Sequence, residues 1–444
     1  MRAASYAPGQ GMSTTFVVSA DDVSLHFDLN KLTERQLRDN AESQSLVGLL
    51  QVAQMGLGGP ADHVMLYDEF AIGPWPQRLE AYAGFFTRMG ANPIPAKNRH
   101  IHPVEGFYNS IAADLPDTDS ITLYLTSGSN DILHNDPADY AISQKVNSKI
   151  HFAAHAPGFG IPVPDTLVTT KGQLGSSENA AFMAKYDGQV MVKILGMGAA
   201  RNVSPVPSLA EAIDYVAEFE DDMEVILQHR LDLSKYTEMT ADLTITDTDV
   251  SISNVRKIMF AEGVWVGNYI SPNIVMPPEH EKELLRIGAY ARAQGYVAPE
   301  GLNCGVDYFF RTDTDGTDSS GEFFATEINC RWTGGLFATE IIRQVGASQE
   351  SCFAFIDLVI GKKFDAYLAF VDRHLFGTSS ESFSIIPLGC SPSPQQIEGA
   401  EHFYTWQAIA GDFNAFKQAR RDELGDGALM LAENIKMNGV LGLK

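Results

Sequence analysis

The sequence predicts a mixed α/β (α+β) protein of two or three domains. Strand candidates at residues 63–67 and 120–125 alternate with a helix candidate at 79–89, where apolar residues recur at helical spacing. The chain has 444 residues, enough for a large core and more than one domain. Its content of 45% hydrophobic and 20% charged residues is ordinary for a globular protein. We therefore expect a partly parallel sheet in the first third of the chain.

Proline and glycine mark the first domain boundary. Residues 156–164 contain three prolines and two glycines, a composition that excludes a helix interior and disfavours a central strand. Beyond residue 351 the sequence predicts mainly helical structure. The helix candidates there are four apolar segments at residues 353–360, 366–375, 413–424 and 427–437.

The charge of the chain limits its partners. A formal net charge of −24 repels nucleic acid and anionic lipid, so we expect neither as a partner. An anionic substrate would need local Lys, Arg or Mg²⁺ to offset this field. The four cysteines form no C-x-x-C pair, which is typical of reduced thiols in a cytoplasmic protein. Residues 1–12 lack the apolar segment of a secretory signal, so the expected compartment is the cytoplasm.

An unusual row of polar side chains closes a strand candidate at residues 322–331. Alternate side chains of a strand share a face, so Glu327, Asn329 and Arg331 are expected to point the same way. A second strand candidate carries Asp307 and is joined to the first by a polar loop at residues 312–321, which predicts a β-hairpin. Carboxylate and amide oxygens suit Mg²⁺, and a guanidinium suits phosphate or carboxylate oxygens. The hairpin therefore predicts a magnesium site at Asp307, Glu327 and Asn329.

Two further segments have weaker signals. Lys193 lies in an apolar strand that enters a turn containing Gly196 and Gly198, where backbone N–H groups could approach phosphate. The alternative is a lysine that extends to solvent from an edge strand. Residues 224–231 form an apolar strand that turns polar at its end, where backbone groups could meet an adenine edge, or where the strand simply ends.

Taken in chain order, the lysine strand, the strand at residues 224–231 and the polar hairpin resemble the ATP-grasp superfamily over residues 145–346. The resemblance implies an ATP-grasp fold with a pre-ATP-grasp domain at residues 1–148, a nucleotide-binding and catalytic region at 149–350 and an extension at 351–444. It also implies ATP and Mg²⁺ as cofactors. Lysines would hold the phosphates, a hinge would hold adenine, and an acid would face the ribose or the substrate. The residues implied are Lys149 and Lys193, with Gly196 and Gly198 beside them, then Gln228, His229 and Leu231, and finally Glu238.

Within the superfamily the chain is similar to amino-acid and peptide ligases of bacterial secondary metabolism, the pheganomycin-type peptide ligase among them. This implies activation of a carboxylate as an acyl phosphate and its transfer to the amine of an amino acid or short peptide. Arg331 would stabilise the transferred charge, and Arg256 is a second catalytic candidate whose alternative is a surface salt bridge. Other readings are carboxylation, phosphoryl transfer, or a non-catalytic nucleotide-binding regulator. The sequence leaves the oligomeric state open, a homodimer included.

Overall fold

The computed structural model describes most of the chain. The described residues are 13–134, 137–196, 202–261, 264–311, 322–360, 363–378, 381–391, 395–397, 400–425 and 435–436. Gly198 and the polar loop at residues 312–321 therefore lie outside the described residues. In the part that is described, we find no helix whose length and apolar character would let it cross a membrane.

The N-terminal region is built on a four-stranded sheet in which every pair of strands is parallel. The spatial order is β3-β2-β1-β4. The predicted strands and helix at 63–67, 79–89 and 120–125 are confirmed, although the helix begins four residues earlier than expected. The elements are β1 (Thr14–Val17), α1 (Glu34–Leu57), β2 (His63–Tyr67), α2 (Trp75–Arg88), β3 (Arg99–His102), α3 (Phe107–Ala113) and β4 (Ser120–Leu123).

A second four-stranded sheet carries the predicted lysine strand and is antiparallel, in the order β5-β8-β6-β7. The helix Leu209–Tyr215 is capped at its start, because the Ser208 hydroxyl accepts a hydrogen bond from the Glu211 N–H at 3.3 Å. The elements are α4 (Pro137–Val146), α5 (Lys149–His155), β5 (Thr166–Thr170), α6 (Ser177–Lys185), β6 (Val190–Ile194), β7 (Val203–Val206), α7 (Leu209–Tyr215) and β8 (Glu224–His229).

The third sheet has ten strands and contains the predicted hairpin. Its main path is β13-β12-β9-β10-β11-β14-β17-β15, with β16 paired to β17 and β18 paired to β10. The elements are β9 (Tyr236–Ile245), β10 (Val250–Ala261), β11 (Val264–Ile270), α8 (Pro278–Ala293), β12 (Leu302–Arg311), β13 (Phe323–Asn329), α9 (Gly334–Gln344), β14 (Cys352–Ile360), α10 (Phe364–Arg373), β15 (Phe383–Cys390), β16 (Gln395–Ile397), β17 (Ala400–Gly411), α11 (Phe413–Leu424) and β18 (Ile435–Lys436).

The prediction of a mainly helical segment after residue 351 is wrong for the described residues. The predicted helix at 353–360 is strand β14, and β15 and β17 extend the same sheet. Most of β14 is buried, so its sequence is a nearly continuous apolar run without the alternation that marks a half-exposed strand. The helices α10 and α11 do form as predicted. Of the segment 427–437, the structure describes only residues 435–436, which pair with β10.

One apolar core joins the two ends of the chain. Phe16 and Phe86 of the N-terminal region belong to the same buried cluster as Phe383 and Trp406 of the C-terminal strands. Gly389 on β15 lies so close to α1 that a Cβ there would be 2.4 Å from the carbonyl oxygen of Leu49. Helix α1 therefore packs against both the N-terminal sheet and the β15 end of the ten-stranded sheet.

Candidate active site

A cavity of about 750 Å³ lies where the N-terminal region and the two other sheets meet. Twelve of the thirteen site residues predicted from the sequence line it. The thirteenth, Gly198, is outside the described residues. The twelve are Lys149, Lys193, Gly196, Gln228, His229, Leu231, Glu238, Arg256, Asp307, Glu327, Asn329 and Arg331.

The two predicted acids face each other across the hairpin. Asp307 on β12 and Glu327 on β13 are direct register partners in an antiparallel pair, so their side chains share one face. The Asn329 amide, two residues further along that face, donates from Nδ2 to Asp307 Oδ2 and to Glu327 Oε1, each at 3.2 Å. The predicted convergence of the three side chains is therefore present in the structure.

Two lysines bring positive charge to these acids. The Lys149 ammonium at the start of α5 lies 2.6 Å from Glu327 Oε2. Lys193 on β6 is only 6% exposed, so it does not reach solvent in the way the alternative reading required. Burial lowers the pKa of Lys193 to about 8, although the charge of Glu327 opposes that shift. A buried ammonium of this kind is stabilised by anions, which fits a place beside phosphates.

Burial and mutual repulsion give the three acids of the site different pKa values. Burial, followed by the charge of Glu327, raises the pKa of Asp307 to about 7. Burial and the charge of Asp307 raise the pKa of Glu238 to about 8. Burial also acts to raise the pKa of Glu327, but Lys149 and Lys193 outweigh it, and the pKa is lowered. Without added positive charge, the site therefore favours one fully ionised carboxylate beside two that retain protons near neutral pH.

The donor set fits Mg²⁺. Among the described residues, no three His, Cys, Asp or Glu side chains are arranged to hold a metal, so the Asn329 amide would have to be the third ligand. Its nitrogen now faces both carboxylates, and a half-turn of the amide would direct Oδ1 to the same space. Two carboxylates and an amide oxygen are hard ligands of the kind that Mg²⁺ takes in proteins.

Arg331 lies just past the end of β13, which stops at Asn329 rather than continuing as expected. Its backbone N–H donates to the Asn329 carbonyl at 2.8 Å, which keeps it beside the hairpin. Its guanidinium donates from Nη1 to Asn147 Oδ1 at 2.8 Å and lies 5.8 Å from the centre of the Tyr124 ring. Helix α9 begins three residues later, and Thr333, Gly334 and Gly335 at its start also line the cavity. This end of the cavity therefore has a cation and a positive helix terminus, which together suit an anion.

Arg256 forms an ion pair that is buried, so the alternative of a surface salt bridge is wrong. The Arg256 and Asp242 side chains are 1% and 0% exposed, and Arg256 Nη1 donates to Asp242. Nη2 donates to the Thr333 hydroxyl at 3.3 Å, next to the start of α9. Because Asp242 neutralises it, Arg256 brings less positive potential to the cavity than Arg331 does. Its catalytic role remains a prediction.

The predicted hinge lies at the end of β8 and is partly occupied by the protein itself. Gln228 Nε2 donates to the Thr166 hydroxyl at 2.9 Å, and the His229 ring stacks on Tyr186 with ring centres 4.2 Å apart. The N–H groups of His229 and Arg230 already donate to backbone carbonyls. These two N–H groups are therefore not open to an adenine edge, whereas Leu231 also lies on the cavity wall.

Gly196 follows the lysine strand, which ends at Ile194, and has a conformation that favours glycine, with φ of 133°. A Cβ at this position would lie 2.5 Å from the Asn202 side chain and 2.7 Å from the Phe27 ring. Both the local packing and the backbone angle therefore require glycine at this position.

The N-terminal region contributes cavity residues that were not among the predicted site residues: Asp22, His26, Tyr124 and Asn147. Burial and the charges of Arg331 and Lys149 lower the pKa of His26 to about 4, so its imidazole is neutral. Asn147 lies two positions before Lys149, but its contact with Arg331 spans 184 positions. Local patterns carry no signal for contacts between residues so far apart in the chain.

Asp22 is held in a buried hydrogen-bond network at the edge of the cavity. Its Oδ1 accepts from the Tyr108 hydroxyl at 2.6 Å, from Asn130 Nδ2 at 3.0 Å and from the Ser127 hydroxyl at 3.2 Å. The side chain is 4% exposed. Burial raises the pKa of Asp22 to about 7, and the hydrogen bonds oppose this shift only in part.

The raised pKa of Asp22 predicts a pH-dependent loss of stability. Between its ordinary pKa of 3.8 and about 7, the folded protein holds a proton that the unfolded chain has released. This contribution is complete below pH 4 and is lost as the pH rises through 7. Asn keeps the accepting oxygen but cannot titrate. The free energy of unfolding of Asp22→Asn, relative to the native protein, should therefore improve by about 2 kcal/mol between pH 5 and pH 8. Urea unfolding of both proteins at the two pH values checks this, and a constant difference would contradict it.

The fold matches solved structures with adenine nucleotides bound, although no family model and no curated protein matches the sequence. N5-carboxyaminoimidazole synthetase from Staphylococcus aureus, complexed with ADP, aligns with a TM-score of 0.53 and 11% identity over 93% of this chain and 97% of that chain. Carboxyaminoimidazole ribonucleotide synthase from Aspergillus clavatus, complexed with ATP, gives 0.52 and 11% over 96% and 99%. Biotin carboxylase from Campylobacter jejuni, in a complex with β,γ-ATP, gives 0.52 and 10% over 95% and 93%. The chain has the ATP-grasp fold.

Proposed function

We propose that this protein is an ATP-dependent ligase that activates a carboxylate as an acyl phosphate and joins it to an amine, releasing ADP and phosphate. The observation that carries the proposal is the meeting of Lys149 and Lys193 with Asp307, Glu327 and Asn329, and of all five with Arg331, around one cavity. Phosphoryl transfer needs positioned charge more than covalent chemistry, and this cavity supplies charge of both signs.

Each residue has a role in the proposal. Lys149 and Lys193 hold the nucleotide phosphates, while the end of β8 and Glu238 contact the nucleoside or the substrate. Asp307, Glu327 and Asn329 would hold Mg²⁺, which supplies charge neutralisation for the phosphates when it is bound. Lys149 has two tasks, since in the absence of a metal it neutralises Glu327 at 2.6 Å.

The carboxylate substrate lies at the Arg331 end of the cavity in this scheme. Its oxygen attacks the γ-phosphorus of ATP, ADP leaves, and an acyl phosphate forms. The amine then attacks the acyl carbon and phosphate leaves, which forms the amide. Arg331 and the start of α9 stabilise the negative charge on the transferred phosphoryl group and on the tetrahedral intermediate. The protein as a whole has a charge of −24, so this local positive region is what makes binding of anions favourable.

Asn147 is a positioning residue in this scheme. It accepts a hydrogen bond from Arg331 and is itself 6% exposed, anchored by Nδ2 to the Ser143 carbonyl at 3.0 Å. Asn147→Ala should lower kcat about 10-fold with little change in the KM for ATP, because the guanidinium loses its orientation but not its charge. Steady-state kinetics with thermal unfolding as a control checks this. A fall in thermal stability with unchanged kcat would assign Asn147 a structural role only.

A carboxylation reaction is the second candidate, because the named proteins of similar fold include a biotin carboxylase. Phosphoryl transfer to another acceptor is a third reading of the same site. The finer proposal of a pheganomycin-type peptide ligase rests on the sequence resemblance. An ADP-release screen with paired carboxylates and amines, read by mass spectrometry, tests all of these. ADP with an amide supports the ligase, ADP with a carboxylated or phosphorylated product supports an alternative, and no ADP release with any pair contradicts the proposal.

A further inference from the structure

An apolar strip lines the part of the cavity beyond Arg256. Its members come from four neighbouring strands of the ten-stranded sheet, and all line the cavity: Ile258, Phe260, Trp265, Ile356 and Trp406. We propose that the acid activated by this protein has an apolar side chain of aromatic or branched aliphatic type, and that the apolar strip binds it. This inference rests on the proposed ligase function and names its substrate class.

The register of the sheet places the members of the strip side by side. Arg256, Ile258 and Phe260 alternate along β10 and therefore share its cavity face. Phe260 is the register partner of Trp265 on β11, and Ile356 is the partner of Trp406 on β17. Phe260, Trp265 and Ile356 are only partly buried although they are large and apolar. The strip thus presents apolar surface to the cavity rather than filling a core.

The strip begins beside the anion-binding end of the cavity. A Cβ on Gly334 would lie 3.0 Å from Cη2 of Trp265, and one on Gly335 would lie 2.5 Å from Nε of Arg256. The start of α9 is therefore in close contact with both the strip and the buried ion pair. A ligand whose carboxylate meets Arg331 and the start of α9 would have its side chain directed toward Trp265 and Phe260.

Helix α1 and the turn before it add further apolar residues to the cavity lining. Leu46 and Leu50, four residues apart, lie on one face of α1, and Ala20 and Val23 precede them on the short turn Ala20–Leu25. These residues and the apolar strip would both border the ligand side chain. Removal of an aromatic or branched aliphatic group from water into such a space is favourable in proportion to its apolar area.

Charge in this part of the cavity disfavours an acidic or phosphorylated side chain. Among the described lining residues from the N-terminal turn, α1, and the strands β10 beyond Arg256, β11, β14 and β17, we find neither Lys nor Arg. The acid in this part, Asp22, accepts three hydrogen bonds at Oδ1, whereas its buried Oδ2 has no hydrogen-bond partner in the described structure; burial raises its pKa to about 7, so it offers a cationic side chain only a partly ionised partner. An anionic side chain would therefore lose water without gaining a cationic partner, and a cationic one would meet only Asp22.

The test compares amino acids that differ in their side chains in the ADP-release assay, with one pool of amino acids and dipeptides as the amine. The acids are L-phenylalanine, L-leucine, L-alanine, L-aspartate, L-arginine and O-phospho-L-serine. We expect kcat/KM for phenylalanine or leucine to exceed that for each charged acid by at least about 10-fold, since apolar pockets discriminate by roughly 10- to 200-fold. Calorimetric binding of the same acids, with a non-hydrolysable ATP analogue present, measures the preference without turnover.

Variants of the strip add a second test. Trp265→Ala should raise the KM for the preferred apolar acid about 10-fold and leave the KM for ATP unchanged, and Trp265→Phe should restore most of the loss. Phe159→Ala is the matched control, because it truncates an aromatic ring that is 45% exposed and does not line the cavity.

The outcomes separate the two proposals. Amide formation that prefers arginine, aspartate or phosphoserine would overturn the inference and leave the ligase in place. Preferential binding of phenylalanine or leucine without any amide product would support the ligand class and contradict the ligase. Equal binding and turnover of apolar and charged acids would overturn the inference, as would a Trp265→Ala variant with unchanged KM for every acid.

Discussion

Replacement of Arg331 by alanine should lower turnover by about 10²–10³-fold while the protein still folds and binds ATP. A preorganised charged donor typically contributes this much when charge develops in a transition state. Arg331 meets the conditions for such an effect, since its guanidinium is held by Asn147 and the residue lies three positions before the start of α9. Arg256, in contrast, is neutralised by Asp242. We therefore expect the larger kinetic effect at Arg331.

The measurement is steady-state amide formation with nucleotide binding followed separately by calorimetry. Arg343→Ala is a matched control, because Arg343 lies on helix α9, which follows Arg331, and its 56% exposed side chain is paired to Glu340. It should leave turnover within about twofold of the native value, since exposed ion pairs contribute little. Arg331→Lys keeps the charge but loses the two-pronged donor, so partial activity is expected. Full turnover in Arg331→Ala would remove this residue from the mechanism.

The convergence of Asp307, Glu327 and Asn329 could be predicted from sequence because it depends on local rules. Alternation along a strand fixes which side chains share a face, and a hairpin fixes which strands are neighbours. The register shift in this hairpin falls after Asp307, between Asp307 and Tyr308, so Asp307 remains directly opposite Glu327. A shift one residue earlier would have changed the partner of Asp307, and the sequence gives no warning of such a shift.

The C-terminal strands could not be predicted in the same way. Strand β14 is covered on both faces, so its apolar run has no polar alternation and is compatible with a helix. Helix α11 was predictable because Phe416, Arg420 and Leu424 recur at helical spacing, and all three are buried. The difference lies in burial: an element exposed on one side has a period in its sequence, and an element buried on both sides has none.

The walls of the cavity also depended on contacts that no local pattern encodes. Arg256 and Asp242 lie on adjacent strands, but only their packing beneath α9 shows that the pair is excluded from water. The apolar strip likewise combines β10 and β11, which precede α8 in the sequence, with β14 and β17, which follow α9. The sequence shows which chemical groups are present, but the fold determines which of them a ligand can reach.

Replacement of Glu327 by glutamine should weaken the response of ATP turnover to Mg²⁺ by about 100-fold or more. Changes to groups that only support a metal ligand already cost 10–100-fold in affinity, and a change in the ligand itself should be at least as large. The lowered pKa of Glu327, held down by Lys149 and Lys193, makes it the carboxylate that is ionised before any metal arrives. Glutamine keeps the shape and removes that charge.

The Mg²⁺ dependence of ADP release should be titrated for the native protein, for Glu327→Gln and for Glu322→Gln. Glu322 precedes the same strand but pairs with Arg311 away from the cavity, so its change to glutamine is a matched loss of charge. We expect the half-saturating Mg²⁺ concentration to shift only in Glu327→Gln. Glu327→Gln should also release Lys149 from its ion pair. A weaker Mg²⁺ response with intact ATP binding would then indicate that the free Lys149 contacts the phosphates. Identical Mg²⁺ curves for all three proteins would place the metal elsewhere and leave the hairpin without its proposed task.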